Sequence, residues 1–375
     1  FLTQLPIFFV HALSRQAQLH NEVFSMTSSP VSWSLLTEKL LAGLDLERAE
    51  IQAAMQDILG GQSDIESVKS FLLALKAKGE TSEEVGALVE VMYANAAPIS
   101  IAERAVDTVG TGGDGAHTIN ISTTAAIIAA AAGARVVKHG NRAVSSKSGA
   151  SDFLEALGVF PGLNGAGVER TVRELGIGFC FAPVFHPAMR FAAPARKELG
   201  VPTVFNILGP LANPAQPKAA AIGVANERMH LVMAQVLADK GCDGFVFRGD
   251  DGLDEITLTT TTSVLSIGKS EIHSDRIDAK DFGMTNAPIE ALVGGDASEN
   301  ARISRAIFAG ERGAPRDAVL LNAAAAIAAF EGDMDSAIKE RLTRGLERAV
   351  AAVDSGAAAE LLAKWAALTQ EISAS

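Results

Sequence analysis

The chain has 375 residues, 48% hydrophobic and 20% charged, enough for a substantial core in one large domain or two ordinary ones and incompatible with wholesale disorder. Its 44 acidic residues outnumber 32 basic ones, a formal net charge of −12, and only 5% of residues are aromatic; together these argue against a nucleic-acid-binding surface. Two cysteines, Cys180 and Cys242, are too few for a disulfide framework or a thiolate cluster, and a reducing cytoplasm accommodates them most simply.

Residues 1–25 carry a short apolar stretch, Leu5 to Leu13, without the basic segment that precedes it in a secretory signal. They read as an extension upstream of Met26. The longest run of small apolar residues elsewhere, Ala125–Ala134, is about half of what spans a bilayer, so a soluble protein without membrane contact is expected.

Residues 32–97 read as helices separated by glycine stops at Gly43, Gly60-Gly61 and Gly79. Ser63 with Glu66, and Thr81 with Glu84, have the spacing of capping boxes, in which side chains satisfy orphan amides at a helix start. Behind the first, Ile65, Val68, Phe71, Leu72 and Leu75 fall on one helical face.

From about residue 104 the texture changes. Short β-like runs (Val136–Lys138, Ile177–Phe181, Thr203–Phe205, Ala220–Val224 and Gly244–Phe247) alternate with helical runs at 123–132, 168–175, 228–240, 317–330 and 336–353. Thr257–Ile267 is expected to add antiparallel strands. The expected fold class is α/β: a small all-helical N-terminal domain plus a larger α/β domain with a mostly parallel central sheet flanked by helices. The limits expected are 26–98 for the helical domain, joined by a helical segment at about 187–200, with 99–186 and 201–375 forming the larger one.

The densest chemical signal is Asp107-Thr-Val-Gly-Thr-Gly-Gly-Asp-Gly115, followed by Thr118-Ile-Asn-Ile-Ser-Thr123. Gly110, Gly112 and Gly115 match a dinucleotide fingerprint formally, but its context fails. The run Glu103–Thr108 reads as too polar for a buried first strand, the helix starts near Ser122, and no ribose-binding acid follows the second strand. A glycine loop of this density still exposes amides and permits positive φ, so it can wrap an anion. Asn120, Ser122 and Thr123 add donors at a helix N-terminus, where phosphate is favoured.

Lys138-His139-Gly140-Asn141-Arg142-Ala143-Val144-Ser145-Ser146-Lys147 gathers positive charge one β-α-β unit later. That spacing puts it beside the glycine loop, at the sheet edge where open α/β folds bind ligands. Asp250-Asp251-Gly252-Leu253-Asp254-Glu255 follows a strand-like run, and adjacent carboxylates with no Cys or His nearby suit Mg²⁺ held against phosphates. His186-Pro187 begins a helical run in which Arg196, ten residues on, shares a face and offers a fork for a carboxylate.

Taken together these motifs resemble the anthranilate phosphoribosyltransferase family. The resemblance covers essentially residues 30–370, through Phe71–Thr81, Gly110–Gly115, Asn120–Thr123, Lys138–Ser146, His186–Arg190, Thr203–Asn213 and Asp251–Glu255. It implies transfer of the 5-phosphoribosyl group from phosphoribosyl pyrophosphate to the amino group of anthranilate, the second step of tryptophan biosynthesis from chorismate. It also implies Mg²⁺ as cofactor, a homodimer through the helical domain and no acid/base nucleophile. By position, Gly110, Gly113, Asp114, Thr118, Asn120, Ile121, Ser122, Thr123, Ala150 and the run Lys138, His139, Gly140, Asn141, Arg142, Ala143, Val144, Ser145, Ser146 are implied to hold phosphoribosyl pyrophosphate. Gly110, His139, Asn141, Arg196 and Pro210 are implied to hold anthranilate, and Ser122, Asp254 and Glu255 the metal. Ala150 departs from the family's pattern, where a phosphate-binding serine is common. Two other readings share this fold: a pyrimidine nucleoside phosphorylase-like enzyme and a non-catalytic nucleic-acid-binding relative.

Overall fold

The computed structural model describes residues 31–143 and 147–375. The expected extension at 1–25, and Val144, Ser145 and Ser146, lie outside the described residues.

Among the described residues four helices come first: α1 (Trp33–Leu41), α2 (Arg48–Gly60), α3 (Ile65–Lys78) and α4 (Ser82–Ala94). The capping box at Thr81 forms as expected, with the Glu84 amide donating to Thr81 Oγ1 at 3.2 Å and the Thr81 amide to Glu84 Oε2 at 2.9 Å. At α3 the cap sits one residue later than expected. Asp64, in extended conformation, accepts the Ser67 amide at 2.9 Å, while the Ser63 hydroxyl donates to Asp57 instead.

The larger unit runs β1 (Val106–Gly110), α5 (Ile121–Ala131), β2 (Val136–Gly140), α6 (Ala150–Ala156), α7 (Gly165–Leu175), β3 (Ile177–Phe181), the single turn α8 (Ala182–Phe185), α9 (Ala193–Leu199), α10 (Phe205–Leu211), β4 (Ala219–Gly223), α11 (Glu227–Asp239), β5 (Asp243–Gly249), β6 (Thr262–Gly268) and β7 (Glu271–Ile277). It ends with α12 (Ala297–Phe308), α13 (Ala314–Glu331), α14 (Ile338–Asp354) and α15 (Ala357–Ala374). Among the described residues seven strands lie in the order β3-β2-β1-β4-β5-β6-β7, with neighbours paired parallel from β3 to β5 and antiparallel at β5/β6 and β6/β7. From β1 the chain builds outward to β2 and β3, then returns to lay β4 on the other side of β1. That reversal makes the β1/β4 boundary the crevice where such sheets take ligands.

Alternation along β4 divides the protein's two main cores. Ala219 and Ala221 pack with α5, α13 and α14, whereas Ala220 and Ile222 pack with α11, α10 and the helical unit. The alanine-rich helices are close-packed scaffold: every residue from Ala318 to Ala329 is buried, and a Cβ on Gly345 of α14 would overlap the Ala324 carbonyl of α13. Around α9, Ala192 and Ala195 are buried in the core that holds the N-terminal helices together with β4 and α11.

Several sequence expectations fail for physical reasons. The run judged too polar for a buried strand leads into β1, an interior strand of the sheet, with Asp107 and Thr108 each 1% exposed. Partners recruited from 32 and 106 residues away satisfy the Asp107 carboxylate: the His139 amide at 3.2 Å and Asn213 Nδ2 at 2.8 Å. Thr203–Phe205 is no strand, because it leads into α10, with the Thr203 amide bonded to Asn206 Oδ1 at 3.1 Å. Within Thr257–Ile267 only the part from Thr262 is strand. Helices α6, α12 and α15 and strand β7 have no counterpart among the expected runs. Nor does one helix carry His186 to Arg196: a 3₁₀ turn at Pro187–Phe191 gives way to α9 at the Ala193-Pro194 step, so the shared-face argument does not apply.

Candidate active site

The carboxyl ends of β1 and β4 finish on paired glycines, Gly110 opposite Gly223. A Cβ at either position would overlap Asp254: its carboxylate in the case of Gly110, its backbone carbonyl in the case of Gly223. The two glycines therefore open a slot in the sheet edge, and the loop after β5 drops Asp254 and Glu255 into it. Beyond β1 the chain turns through Gly112, Gly113 and Gly115, with φ of 71°, 86° and 73°, a left-handed path that only glycine follows without strain.

Two amides grip the carboxylates from opposite sides. The Gly112 amide donates to Asp254 Oδ2 at 2.6 Å, and the Ser122 amide, in the first turn of α5, donates to Glu255 Oε1 at 3.2 Å. Asn322, a lone amide on the alanine-rich α13, clamps the next residue: its Oδ1 accepts the Ile256 amide and its Nδ2 donates to the Ile256 carbonyl, both at 3.0 Å. Of the four acids at 250–255 only Asp254 and Glu255 face this slot. Asp250 pairs with Arg276, and Asp251 bonds to Thr257 and Thr259.

Lys138 proves to be a buried strand residue, 2% exposed, with Nζ donating to the Thr108 carbonyl and lying 3.4 Å from Ser122 Oγ. Burial lowers its pKa, opposed by the charges of Asp107, Glu255 and Asp254. Burial also raises both Asp254 and Glu255 well above the usual carboxylate range, Asp254 further through Asp114 and Glu255 through Asp254. Such a cluster favours a cation among its oxygens. Among the described residues no group of three or more His, Cys, Asp or Glu side chains converges as a metal site. Two buried carboxylates and the Ser122 hydroxyl suit Mg²⁺, an ion that keeps water and substrate phosphates as its other ligands.

On the other side of β2, His139 Nδ1 donates to the Gly209 carbonyl at 2.8 Å, bringing β2 against Pro210 of α10. The neighbouring His186 ring, 5.2 Å away centroid to centroid, donates from Nε2 to the Ala212 carbonyl at 2.8 Å. Arg196, half-buried and in no ion pair with the described residues, lies with Cζ 5.6 Å from the Phe205 ring centroid at the start of α10. Burial lowers its pKa, as for a cation short of an anionic partner. Thus Gly110, Asp114, Ser122, Lys138, Asp254 and Glu255 are brought together, while His139, Pro210 and Arg196 are linked through α10. Arg142 is turned away, its guanidinium paired at the surface with Asp152 and Glu155. Asn141 is exposed, its Oδ1 accepting the Arg142 amide, and Ala150 opens α6 at a distance of 3.1 Å from where a Cβ on Gly140 would lie.

The profile described as "Glycosyl transferase family, a/b domain" matches residues 102–359, and that described as "Glycosyl transferase family, helical bundle domain" matches 35–96. An anthranilate phosphoribosyltransferase of Rhodococcus jostii is 50% identical over 344 residues, covering 92% of this chain and 95% of its own; one of Saccharopolyspora erythraea is 52% identical over 341 residues, covering 91% and 97%. The chain belongs to the anthranilate phosphoribosyltransferase family. It is accordingly a glycosyltransferase. Solved structures of anthranilate phosphoribosyltransferases share the architecture. That from Thermus thermophilus superposes with a TM-score of 0.82 at 39% identity, over 89% of this chain and 99% of that one. The Saccharomyces cerevisiae enzyme in complex with phosphoribosyl pyrophosphate and Mg superposes at 0.83 with 27% identity, over 92% and 99%.

Sequence reasoning missed three residues that shape this anthranilate phosphoribosyltransferase site without lying in its signature runs, Ser148, Asn300 and Asn322, and it gave no role to Asn213, the last residue of the Thr203–Asn213 run. Only Asn322 left a trace, as a lone amide in the apolar run Leu320-Leu321-Asn322-Ala323.

Proposed function

We propose that this site transfers the 5-phosphoribosyl group from phosphoribosyl pyrophosphate to the amino group of anthranilate, giving N-(5-phosphoribosyl)anthranilate and pyrophosphate in the second step of tryptophan biosynthesis. The observation that carries the residue assignment is the Asp254–Glu255 pair lowered between glycines into the β1/β4 crevice, beside Lys138 and the first turn of α5.

An aryl amine is unprotonated near neutral pH and needs no strong base. The demanding event is departure of pyrophosphate from C1 while positive charge builds on the ribose ring, so positioning and electrostatics supply the catalysis. Asp254, Glu255 and Ser122 would hold Mg²⁺, which when bound neutralises charge on the leaving group. Lys138 Nζ adds a fixed positive charge beside Ser122. The glycine-loop backbone from Gly110 through Gly113 to Asp114, with Thr118 and the α5 turn Asn120–Thr123, surrounds the phosphates. Arg196 holds the anthranilate carboxylate, and Gly110, His139, Asn141 and Pro210 orient the ring so that the amine faces C1. The displacement inverts C1 and passes through no covalent enzyme intermediate. His139–Ala143 and Ala150 border the donor's phosphates.

The same reading places the protein in the cytoplasm and makes it a homodimer through a helical domain at 26–98, joined by 187–200, on an α/β domain at 99–186 and 201–375. Leu35, Leu41, Leu44 and Leu73 on the helical unit are 44–70% exposed, an apolar surface that a second copy would cover. Among the described residues no helix is long and apolar enough to cross a membrane. Mixing the protein with anthranilate, phosphoribosyl pyrophosphate and Mg²⁺ tests the activity: anthranilate fluorescence should decay, and persistent fluorescence with folded protein would refute it. Phosphate-dependent release of thymine from thymidine would point to the phosphorylase reading instead. Sedimentation at twice the chain mass tests the dimer.

A further inference from the structure

Helix α12 lies outside every motif that identified the family, yet it meets α5 through two polar bridges one helical turn apart. Asn300 Nδ2 donates to Asn120 Oδ1 at 2.9 Å, and Thr124 and Ser304 share a hydroxyl hydrogen bond of 2.8 Å. Asn300 and Ser304 are both buried, at 1% and 0% exposure. Asn120 Oδ1 also accepts the Ser148 hydroxyl at 2.9 Å, and Asn120 Nδ2 points at the Ser148 carbonyl at 3.4 Å. The Asn120 amide is therefore engaged inside the protein on both its ends, even though Asn120 does not cap α5 with its side chain.

The other end of Asn300 is equally committed. Its Oδ1 accepts the Gly295 amide at 2.8 Å, and a Cβ on Gly294 would collide with that oxygen. The same short stretch holds the end of the glycine loop, since the Gly294 amide donates to the His117 carbonyl at 2.9 Å and Val293 forms a β-bridge with Thr118. His117 itself has φ of 52°, a conformation a non-glycine residue keeps only when its surroundings impose it. One buried amide thus fixes the segment 117–120 from two sides: directly at Asn120, and through Gly294–Gly295 at His117 and Thr118.

We propose that Asn300 is a positioning residue for the phosphoribosyl donor, setting the Thr118–Asn120 segment and, through Asn120, Ser148, the residue after Lys147. This rests on the donor site assigned above, and the role is one of geometry, since Asn300 is buried and both ends of its amide are engaged within the protein. Replacing Asn300 by Asp keeps the acceptor for Gly295 but places a carboxylate oxygen against Asn120 Oδ1, so the relay breaks at the Asn120 joint alone.

Calorimetric titration of phosphoribosyl pyrophosphate with Mg²⁺ into wild-type protein, Asn300→Asp and Ser304→Ala tests this. Wild-type protein that fails to bind the donor would remove the donor-site reading itself. With wild-type binding in place, Asn300→Asp should weaken the donor roughly ten- to a hundred-fold, the range of a broken buried hydrogen bond. Its anthranilate KM should stay within about twofold of wild type, the scale of a change below one tenfold step in affinity. Ser304→Ala removes the neighbouring bridge between the same helices and should lower the melting temperature without moving donor affinity. Should Asn300→Asp not fold, Asn300→Ser, which shortens the same link, carries the same expectation. Unchanged donor affinity in the folded variant, or equal losses for both substrates, would overturn the assignment.

Discussion

Gly110 and Asp254 occupy one another's space: the carboxylate of the acid sits where the first side-chain carbon of any other residue at 110 would be. Gly110→Ala should therefore push Asp254 out of the slot. Overpacking of this kind costs about 1–3 kcal/mol, seen as a modest fall in melting temperature, while turnover should fall far more steeply than stability. An alanine variant with wild-type turnover would show that the close approach is incidental.

Asp254→Asn/Glu255→Gln preserves shape and removes charge. Turnover should drop by roughly two to three orders of magnitude, the loss typical of removing electrostatic stabilisation at a developing charge. Mg²⁺ should also no longer promote donor binding. Steady-state rates and donor titrations at several Mg²⁺ concentrations read out both effects, and unchanged rates would sink the metal assignment.

The cation at Arg196 is half-buried without an ion pair among the described residues, and its expected partner is the carboxylate of anthranilate. Arg196→Ala should raise the KM for anthranilate roughly ten- to a hundred-fold, the worth of a charge-assisted hydrogen bond, and leave the donor's KM near its original value. Equal changes in both would make Arg196 structural.

Burial holds His139 neutral, with a pKa pushed down to about 3, helped by the nearby His186 charge. The folded state refuses a proton that the unfolded chain accepts below its ordinary pKa of about 6.5. The contribution is thus complete above that pH and is lost as pH falls toward 3, amounting to about 2 kcal/mol by pH 5 at 1.36 kcal/mol per unit. His139→Gln keeps a donor for the Gly209 carbonyl and cannot titrate. Its urea midpoint should fall less between pH 7 and pH 5 than that of the wild type; parallel losses would count against a neutral, buried His139.

Asn322→Ala would strand both the amide and the carbonyl of Ile256, next to Glu255. Each unsatisfied buried group costs about 1–3 kcal/mol, so the melting temperature should fall clearly and Mg²⁺ requirement should rise together. A loss of stability with unaltered Mg²⁺ dependence would confine Asn322 to the scaffold.

The parts of the site legible in sequence are those whose function is local. Gly110–Gly115 declares its flexibility by composition, and Asp254-Glu255 declares mutual repulsion by adjacency. What stayed hidden depends on partners far along the chain. Asp107 looked too polar for the sheet centre because nothing near it in sequence announces Asn213 or the His139 amide. Lys138 and Arg142 looked alike in a basic run, but the strand period buries the first beside Ser122, and the turn beyond it hands the second to Asp152 and Glu155. The break between Pro187 and Arg196 was misread because helical spacing was extended across Pro194, which removes a donor the helix would need.

The pairing of Gly110 with Gly223 also sets an order of assembly during synthesis. Strand β1 gains β2 as soon as the next α/β unit emerges, yet its other edge stays open until β4 is made. Roughly 110 residues separate the two, which at ~5–20 residues per second leaves that edge bare for about 5–22 s. An uncovered edge strand of a nascent sheet invites pairing with other chains. The slot that later receives Asp254 therefore stays open while β2 and β3 are made, and slowed translation between residues 140 and 219 should show up as aggregation before any loss of activity in the protein that folds.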